Sequence, residues 1–192
     1  MLYIGAKEKQ SFLETQFKNF GVASAFLFPI VTFLTFRAPD ITPLLFAERF
    51  KIMVLPFQII VWSVIFIYFN YLFLKMALFI NRVGIVFSSL AIEALAAILL
   101  NLYLIPRYGL AGACIATVAS LIIMFGFIVF CLTKVGTRIP FYKSVEKPIV
   151  ASMGLALVLH YADSWPLLRT LPLGFTGYSL ILIIISALEK ND

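Results

Sequence analysis

The sequence predicts an all-α membrane protein with about six transmembrane helices. Of its 192 residues, 62% are hydrophobic and only 12% are charged, and the mean hydropathy is +1.05. A soluble domain is closer to half apolar and a quarter charged. Six apolar stretches, most of them near the roughly 20 residues that cross a bilayer core, are separated by short polar segments. We therefore attribute the net charge of +6 to loops facing anionic lipid, and not to nucleic-acid binding.

Two regions are expected along the chain. Residues 1–19 carry three lysines among apolar residues and lack the pattern of a signal peptide. We expect them to form a cytoplasmic interfacial segment, with a solvated tail as the alternative. Residues 20–192 are expected to form a six-helix transmembrane domain. Its spans are predicted at about 21–36, 53–74, 83–104, 110–132, 148–162 and 171–188.

The residues between the spans delimit them and set their orientation. Arg37 and two nearby prolines end the first span, and a turn with Asn81 and Arg82 separates the second from the third. Ten of the fifteen Lys and Arg residues fall in the two tails and in segments 75–82 and 134–147. By the positive-inside rule, these segments and both termini are expected in the cytoplasm of a multi-pass cell-membrane protein.

The third and fourth spans are joined by a predicted hairpin at the membrane surface. Pro106 is expected to end the helix, because proline lacks a backbone donor and restricts the residue before it. Arg107 and Tyr108 suit the depth at which the chain leaves lipid, and Gly109 permits a tight reversal. Small residues then recur at four-residue spacing, at Gly112, Ala116 and Ser120. Such a stripe lets another helix approach closely, although an ordinary turn between two helices remains the alternative.

The residues of this hairpin resemble a signature of polysaccharide flippases, the O-antigen and exopolysaccharide exporters of the multidrug/oligosaccharidyl-lipid/polysaccharide (MATE-like) superfamily. The matching residues are Asn101, Ile105, Pro106, Tyr108, Gly109, Gly112, Ala113, Ala116 and Thr117. Cys114 departs from the pattern, since a third small residue is common there. The resemblance covers about twenty residues in the C-terminal portion of such proteins.

This resemblance implies a protein with two lobes of six helices around a cationic cavity. Such flippases move an undecaprenyl-diphosphate-linked oligosaccharide across the cytoplasmic membrane by alternating access. Because the chain matches only the C-terminal portion, we predict a truncated or split form that does not transport alone. The expected partners are a lipid-linked oligosaccharide, membrane lipids, and either a missing N-terminal lobe or a second copy.

Glu93 is the one ionisable residue predicted near the middle of a span. A carboxylate in hydrocarbon costs roughly 2.5–3.5 kcal/mol, so we expect it to face protein or water. Ser89 lies four residues before Glu93 and Asn101 lies eight residues after it. At this spacing the three residues lie close to one face of the helix and form a polar stripe along it. Two interpretations stay open: a cavity-lining group that pairs with a cation or carries a proton, and a buried carboxyl that holds two helices in register.

Other polar residues are weaker candidates for contact with a substrate. Gln58 and Asn70 lie inside the second span and suit hydrogen bonds between helices as well as cavity contacts. Arg107 could bind pyrophosphate or acidic sugars, or anchor the chain at the interface. His160 suits an interfacial position near Asp163 and Trp165.

Several chemistries have no motif in the sequence. There is no phosphate-binding loop, no His-Glu-x-x-His and no pair of cysteines at metal-ligand spacing. We expect no enzymatic activity, no cofactor and no metal. The alternatives to a flippase are a cation-coupled drug antiporter of the same superfamily and a membrane assembly protein of a polysaccharide cluster.

Overall fold

The computed structural model describes residues 6–46, 52–136, 141–161 and 178. Throughout these ranges the chain is helical, with short turns between helices. The helices are α1 (Ala6–Phe36), α2 (Ala38–Phe46), α3 (Val54–Val61), α4 (Ser63–Phe79), α5 (Val83–Lys134) and α6 (Phe141–Tyr161). Apart from Tyr178, the predicted span 171–188 lies outside the described residues. Asp163, Trp165 and the side chain of His160 also lie outside them.

Among the described residues, three segments are long and apolar enough to cross a membrane. They are Lys18–Phe36, Val54–Phe79 and Val83–Lys134, and Pro148–Leu157 is a shorter apolar helix. The second segment joins α3 and α4 into one crossing. The prediction of an all-α membrane protein is confirmed.

Helix α1 runs without interruption from Ala6 to Phe36, past Pro29. Its 31 residues span about 46 Å at 1.5 Å per residue, which exceeds the roughly 30 Å hydrocarbon core. Residues 6–19 therefore continue the axis of the membrane-crossing part. Their position relative to the bilayer surface stays a prediction.

Helix α5 is a hairpin of two arms. If it were straight, its 52 residues would extend about 78 Å, far more than a bilayer requires. At Gly109 the backbone leaves the helical region, with φ 56° and ψ −131°. A Cβ placed on Gly112 would lie 2.3 Å from the Leu104 carbonyl oxygen, whereas residues eight apart in a straight helix are about 12 Å apart. The chain therefore reverses at Gly109. We call residues 83–108 the first arm and 110–134 the second arm.

The core lies where α1, α4 and the second arm meet. Phe20 of α1 stacks on Phe69 of α4 with ring centroids 4.1 Å apart, and it contacts Phe73 at 5.7 Å. Ile128 and Leu132 of the second arm complete the buried cluster. A second cluster joins α1 to α6 through Phe33, Ala151, Leu155, Leu159 and Tyr178. Helix α1 is thus packed between α4 and α6.

The two ends of the bundle differ in charge. The Phe12 ring, in the N-terminal part of α1, stacks on the ring of Phe79, the last residue of α4, with centroids 3.7 Å apart. The N-terminal part of α1 therefore lies on the same side of the bundle as the turn at 80–82. We call this the basic end, because exposed cations gather there: Lys18, Lys75, Arg82 and Lys134. The opposite end carries Gly109, and we call it the tip end. Its described cations are Arg37 and Arg107.

Candidate functional site

The reversal of α5 is made by a glycine and not by the nearby proline. Pro106 lies inside the helix, and the first arm continues through Tyr108 before the backbone turns at Gly109. The expectation that Pro106 ends the helix was wrong in this detail. Membrane helices tolerate proline, whereas the combination of a positive φ with a ψ of −131° at residue 109 favours glycine.

The small-residue stripe of the second arm is buried. Ala116 and Ser120 each expose 1% of their surface or less, and Gly112 is also buried. At Gly112 the backbone approaches the Leu104 and Ile105 backbone so closely that a Cβ has no room. Ser120 donates a hydrogen bond to the Thr117 carbonyl at 2.9 Å, so its hydroxyl is satisfied within its own helix. The stripe therefore allows close packing, as small residues do in membranes.

Two members of the polar stripe on the first arm are bonded within that arm. Ser89 is fully buried, and its Oγ donates to the Ile85 carbonyl at 2.7 Å. The Asn101 Nδ2 donates to the Ala97 carbonyl at 2.7 Å. Glu93, between them, is half-buried and makes no hydrogen bond or ion pair with any described residue. Among these three side chains, the Glu93 carboxylate is therefore free to bind a ligand or a group outside the described residues.

A shallow groove of about 470 Å³ runs along the first arm. It is lined by Ala97, Ile98, Asn101, Leu102, Ile105 and Pro106. Pro106 cannot supply the amide hydrogen that the Leu102 carbonyl would accept in a regular helix. The groove is therefore apolar, with polar atoms at Asn101 and at one main-chain carbonyl.

Arg107 does not point into this groove. At 100° per residue, Tyr103 and Arg107 lie about half a turn away from Ile98 and Ile105. The Arg107 guanidinium stacks over the Tyr103 ring at 3.9 Å and donates to the Tyr103 hydroxyl. The same four-residue spacing places Lys75 over Tyr71 and Lys134 over Phe130 at the basic end. All three pairs fit cations held at the membrane interface.

Gln58 and Asn70 each bridge two helices. The Gln58 Nε2 donates to the Thr35 carbonyl at 3.0 Å, which joins α3 to α1. The Asn70 Nδ2 donates to the Leu121 carbonyl at 3.1 Å, which joins α4 to the second arm. Asn70 is 3% exposed. These amide donors are therefore used inside the chain, and any contact with a substrate is a further proposal.

Arg37 is a polar residue whose burial the sequence did not indicate. Only 2% of its side chain is exposed, and its Nη1 donates to the Asp40 carboxylate at 3.1 Å. This pair lies at the junction between α1 and α2. The Arg-x-x-Asp spacing was the available signal, because residues three apart meet on a helix. In the described part of the chain no group of His, Cys, Asp and Glu could hold a metal ion.

Comparisons with known proteins identify the fold. No family model and no curated protein sequence matches the chain. Among solved structures, the chain is similar to the lipid II flippase MurJ in an inward closed conformation, with a TM-score of 0.77 and 18% sequence identity. The match covers 97% of this chain and 41% of MurJ. The chain therefore has the fold of part of a MurJ-like flippase and spans about two fifths of that protein's length.

Proposed function

We propose that this chain forms one lobe of a membrane flippase for a lipid-linked oligosaccharide. The observation that carries the proposal is the match of 97% of the chain to a lipid II flippase at a TM-score of 0.77. The hairpin signature from Asn101 to Thr117 supports it independently, because it resembles polysaccharide flippases in sequence. The finer proposal is that the carrier is undecaprenyl diphosphate and the cargo an O-antigen or exopolysaccharide unit.

In this proposal the lobe supplies one wall of a transport path and performs no chemistry. The substrate would meet the chain at Glu93 and Asn101, while a second lobe or a second copy supplies the opposite wall. Glu93 is the candidate favoured by its lack of a partner among the described residues. Arg107, Gln58, Asn70 and Ser89 remain candidates of lower rank, since their side chains are bonded within the chain and, unlike Asn101, do not line the groove of the first arm.

We infer that the basic end faces the cytoplasm and the tip end faces outward. The exposed Lys18, Lys75, Arg82 and Lys134 at one end support this orientation by the positive-inside rule. Both termini would then be cytoplasmic, in a multi-pass protein of the cell membrane. In this proposal the lipid-linked substrate, with its apolar chain in the bilayer, would reach the basic end or the tip end with its anionic headgroup.

Binding of the lipid-linked substrate tests the proposal directly. The chain is placed in phosphatidylcholine nanodiscs with a trace of undecaprenyl-diphosphate oligosaccharide, and bound lipid is counted by native mass spectrometry. We expect retention of this lipid over undecaprenyl phosphate, and a loss of retention in Glu93→Gln. Equal retention of both lipids would contradict the proposed substrate class.

The antiporter alternative is favoured by the same unpartnered carboxylate at Glu93. A cation-coupled antiporter would bind a monovalent cation through that group. Isothermal titration with Na⁺ separates the two: binding that disappears in Glu93→Gln, without retention of the sugar lipid, would favour the antiporter.

A further inference from the structure

The short helix α2 lies between two membrane-crossing segments of the chain. The crossing Lys18–Phe36 ends one residue before the break at Arg37, and α2 begins at Ala38. The next crossing begins at Val54. The 19 residues of the first crossing extend about 29 Å at 1.5 Å per residue, close to the roughly 30 Å of the hydrocarbon core. Helix α2 therefore starts near the boundary between hydrocarbon and headgroups at the tip end.

One side of α2 is held against the bundle. Ala38 and Thr42 are buried, and the Thr42 Oγ1 donates to the Ala38 carbonyl at 2.8 Å. Ile41 packs against the cluster that joins α1 to α6, and α2 also packs on α3. The 9 residues of α2 extend only about 14 Å. Because α2 is short and packed against these helices, it stays close to the membrane boundary where it begins.

The other side of α2 exposes large apolar side chains. Leu44 and Leu45 are 76% and 62% exposed, which is unusual for adjacent leucines in a short polar-flanked helix. At 100° per residue, Pro39 lies roughly opposite to the mean direction of these two leucines, and it is also exposed. Helix α2 thus has a protein face, an apolar exposed face, and a third face that carries Pro39.

The apolar face of α2 continues onto the ends of its neighbours. Phe36 at the end of α1, Ile52 just before α3 and Leu55 in the first turn of α3 are all exposed. Phe36 and Leu55 belong to the crossing segments themselves. A contiguous apolar surface of this kind is rarely left in water, and here it adjoins segments that cross a bilayer. Lipid is therefore the partner that the position of the surface favours.

The charges at the start of α2 are compatible with a position among lipid headgroups. Asp40 lies one turn before Leu44, about 40° away around the helix. The buried Arg37 donates through Nη1 to the Asp40 carboxylate at 3.1 Å. This ion pair compensates the charge of the carboxylate at the end of α2 that is nearest to α1.

We propose that α2 is an interfacial helix whose Leu44 and Leu45 insert among the acyl chains of the leaflet at the tip end, with Pro39 directed to water. Amphipathic helices lie in the membrane interface in this way, with the apolar face in the acyl boundary and the polar face outward. The partner is the lipid surface, because both flanking segments cross the bilayer and α2 begins at its boundary. This contact goes beyond the proposed function and depends on no substrate.

Collision rates of spin labels with two relaxing agents test this placement. The chain, with Cys114→Ala and Cys131→Ala, carries a nitroxide on a single cysteine at Leu44→Cys, Leu45→Cys or Pro39→Cys. It is reconstituted in phosphatidylcholine nanodiscs at one copy per disc. Power-saturation EPR compares collisions with O₂, which concentrates among acyl chains, and with a neutral nickel chelate, which stays in water. We expect O₂ to dominate at positions 44 and 45, and the nickel chelate at position 39.

Two references calibrate the collision rates. Phe26→Cys gives the value for lipid, because Phe26 is exposed within the first crossing segment. The free label in buffer gives the value for water. Pro39→Cys is the matched control within α2, because it differs from the leucine positions in the direction it faces and not in the helix that carries it. Labels at 44 and 45 should resemble Phe26→Cys more closely than the label at 39 does.

Three results would overturn the proposal. Dominance of the nickel chelate at positions 44 and 45 would place the leucines in water. Low collision rates with both agents at these positions would show that protein covers them: another part of this chain if the rates stay low at one copy per disc, or a second copy if they fall only at higher protein density. Dominance of O₂ at all three positions would place α2 inside the hydrocarbon core. None of these results bears on retention of the sugar lipid.

Discussion

Gly112 has a tighter environment than Gly84, Gly109, Gly126 and Gly136, where an added Cβ would meet no atom within 4 Å. A Cβ there would lie 2.3 Å from the Leu104 carbonyl oxygen and 3.2 Å from the Ile105 nitrogen, both rigid backbone atoms. Neither atom can move without separating the two arms of α5. The contact thus links a single residue to the geometry of the hairpin.

We expect Gly112→Ala to destabilise the protein by about 1–3 kcal/mol, the usual cost of overpacking. Gly126→Ala is the matched control, because Gly126 lies in the same arm with no atom within 4 Å of its added Cβ. Thermal unfolding in detergent, followed by tryptophan fluorescence, would measure both. Equal melting temperatures for the two variants would show that the arms can separate at no cost.

Asn70 and Asn101 carry the same amide in different settings. Asn70 bonds another helix, whereas Asn101 bonds the carbonyl four residues before it in its own helix. Asn70→Leu should therefore lower stability by about 0.5–2 kcal/mol, the range of hydrogen bonds between membrane helices. Asn101→Leu should leave stability nearly unchanged and, under the proposed function, weaken retention of the sugar lipid. A reversed order of melting temperatures would contradict this assignment.

Residue-level prediction from sequence succeeded where local chemistry decides the outcome. Gly109 adopts the positive φ that a reversal favours, as expected from the residue alone. The burial of Arg37 was missed, because it depends on how the junction of α1 and α2 packs in the fold, which the spacing of Arg37 and Asp40 alone does not reveal. Pro106 was expected to end the helix but lies inside it, since a proline near a helix end can either end it or be accommodated.

At the scale of elements, the α5 hairpin determines which segments share a side of the membrane. Its two arms run in opposite directions, and the first arm starts beside the residues that end the second: Ile85 and Val86 pack on the cluster containing Ile128 and Leu132. The turn at 80–82 and the segment after Lys134 must therefore lie together, opposite to Gly109.

Cysteine labelling can check this arrangement. In the chain without Cys114 and Cys131, single cysteines at Arg82, Tyr108 and Gly136 are treated with a membrane-impermeant maleimide in sealed, uniformly oriented vesicles. We expect positions 82 and 136 to react from one side and position 108 from the other. Labelling of all three from one side would exclude the hairpin.

Element boundaries were predictable to the extent that composition determines them. Apolar length alone indicates the crossing at Val54–Phe79, which the sequence placed at 53–74. Composition does not reveal the division into α3 and α4, where the Trp62 amide bonds the Ile59 carbonyl three residues back. The short helix α2 was also missed, since Pro39 and Pro43 were interpreted as the end of a helix, although α2 contains both.

For the whole molecule, the distribution of burial is the feature that bears on transport. Among the described residues, the first arm has one buried residue, Ser89, whereas the second arm has seven. Large apolar side chains such as Phe87, Leu95 and Leu102 remain exposed. Such surfaces suit contact with lipid or with another protein.

We therefore expect that the 192-residue chain alone does not translocate a sugar lipid. Proteoliposomes with a fluorescent undecaprenyl-diphosphate oligosaccharide would be compared with protein-free liposomes, using loss of fluorescence to an external quencher as the measure. Under the proposed function, alternating access requires two walls that move against each other, and the described residues would supply one of them, packed around α1. Retention of the lipid without translocation would fit a single lobe. Translocation above the protein-free rate would contradict this expectation. If two copies supplied both walls, the rate would rise with the square of the protein-to-lipid ratio, as expected for a dimer.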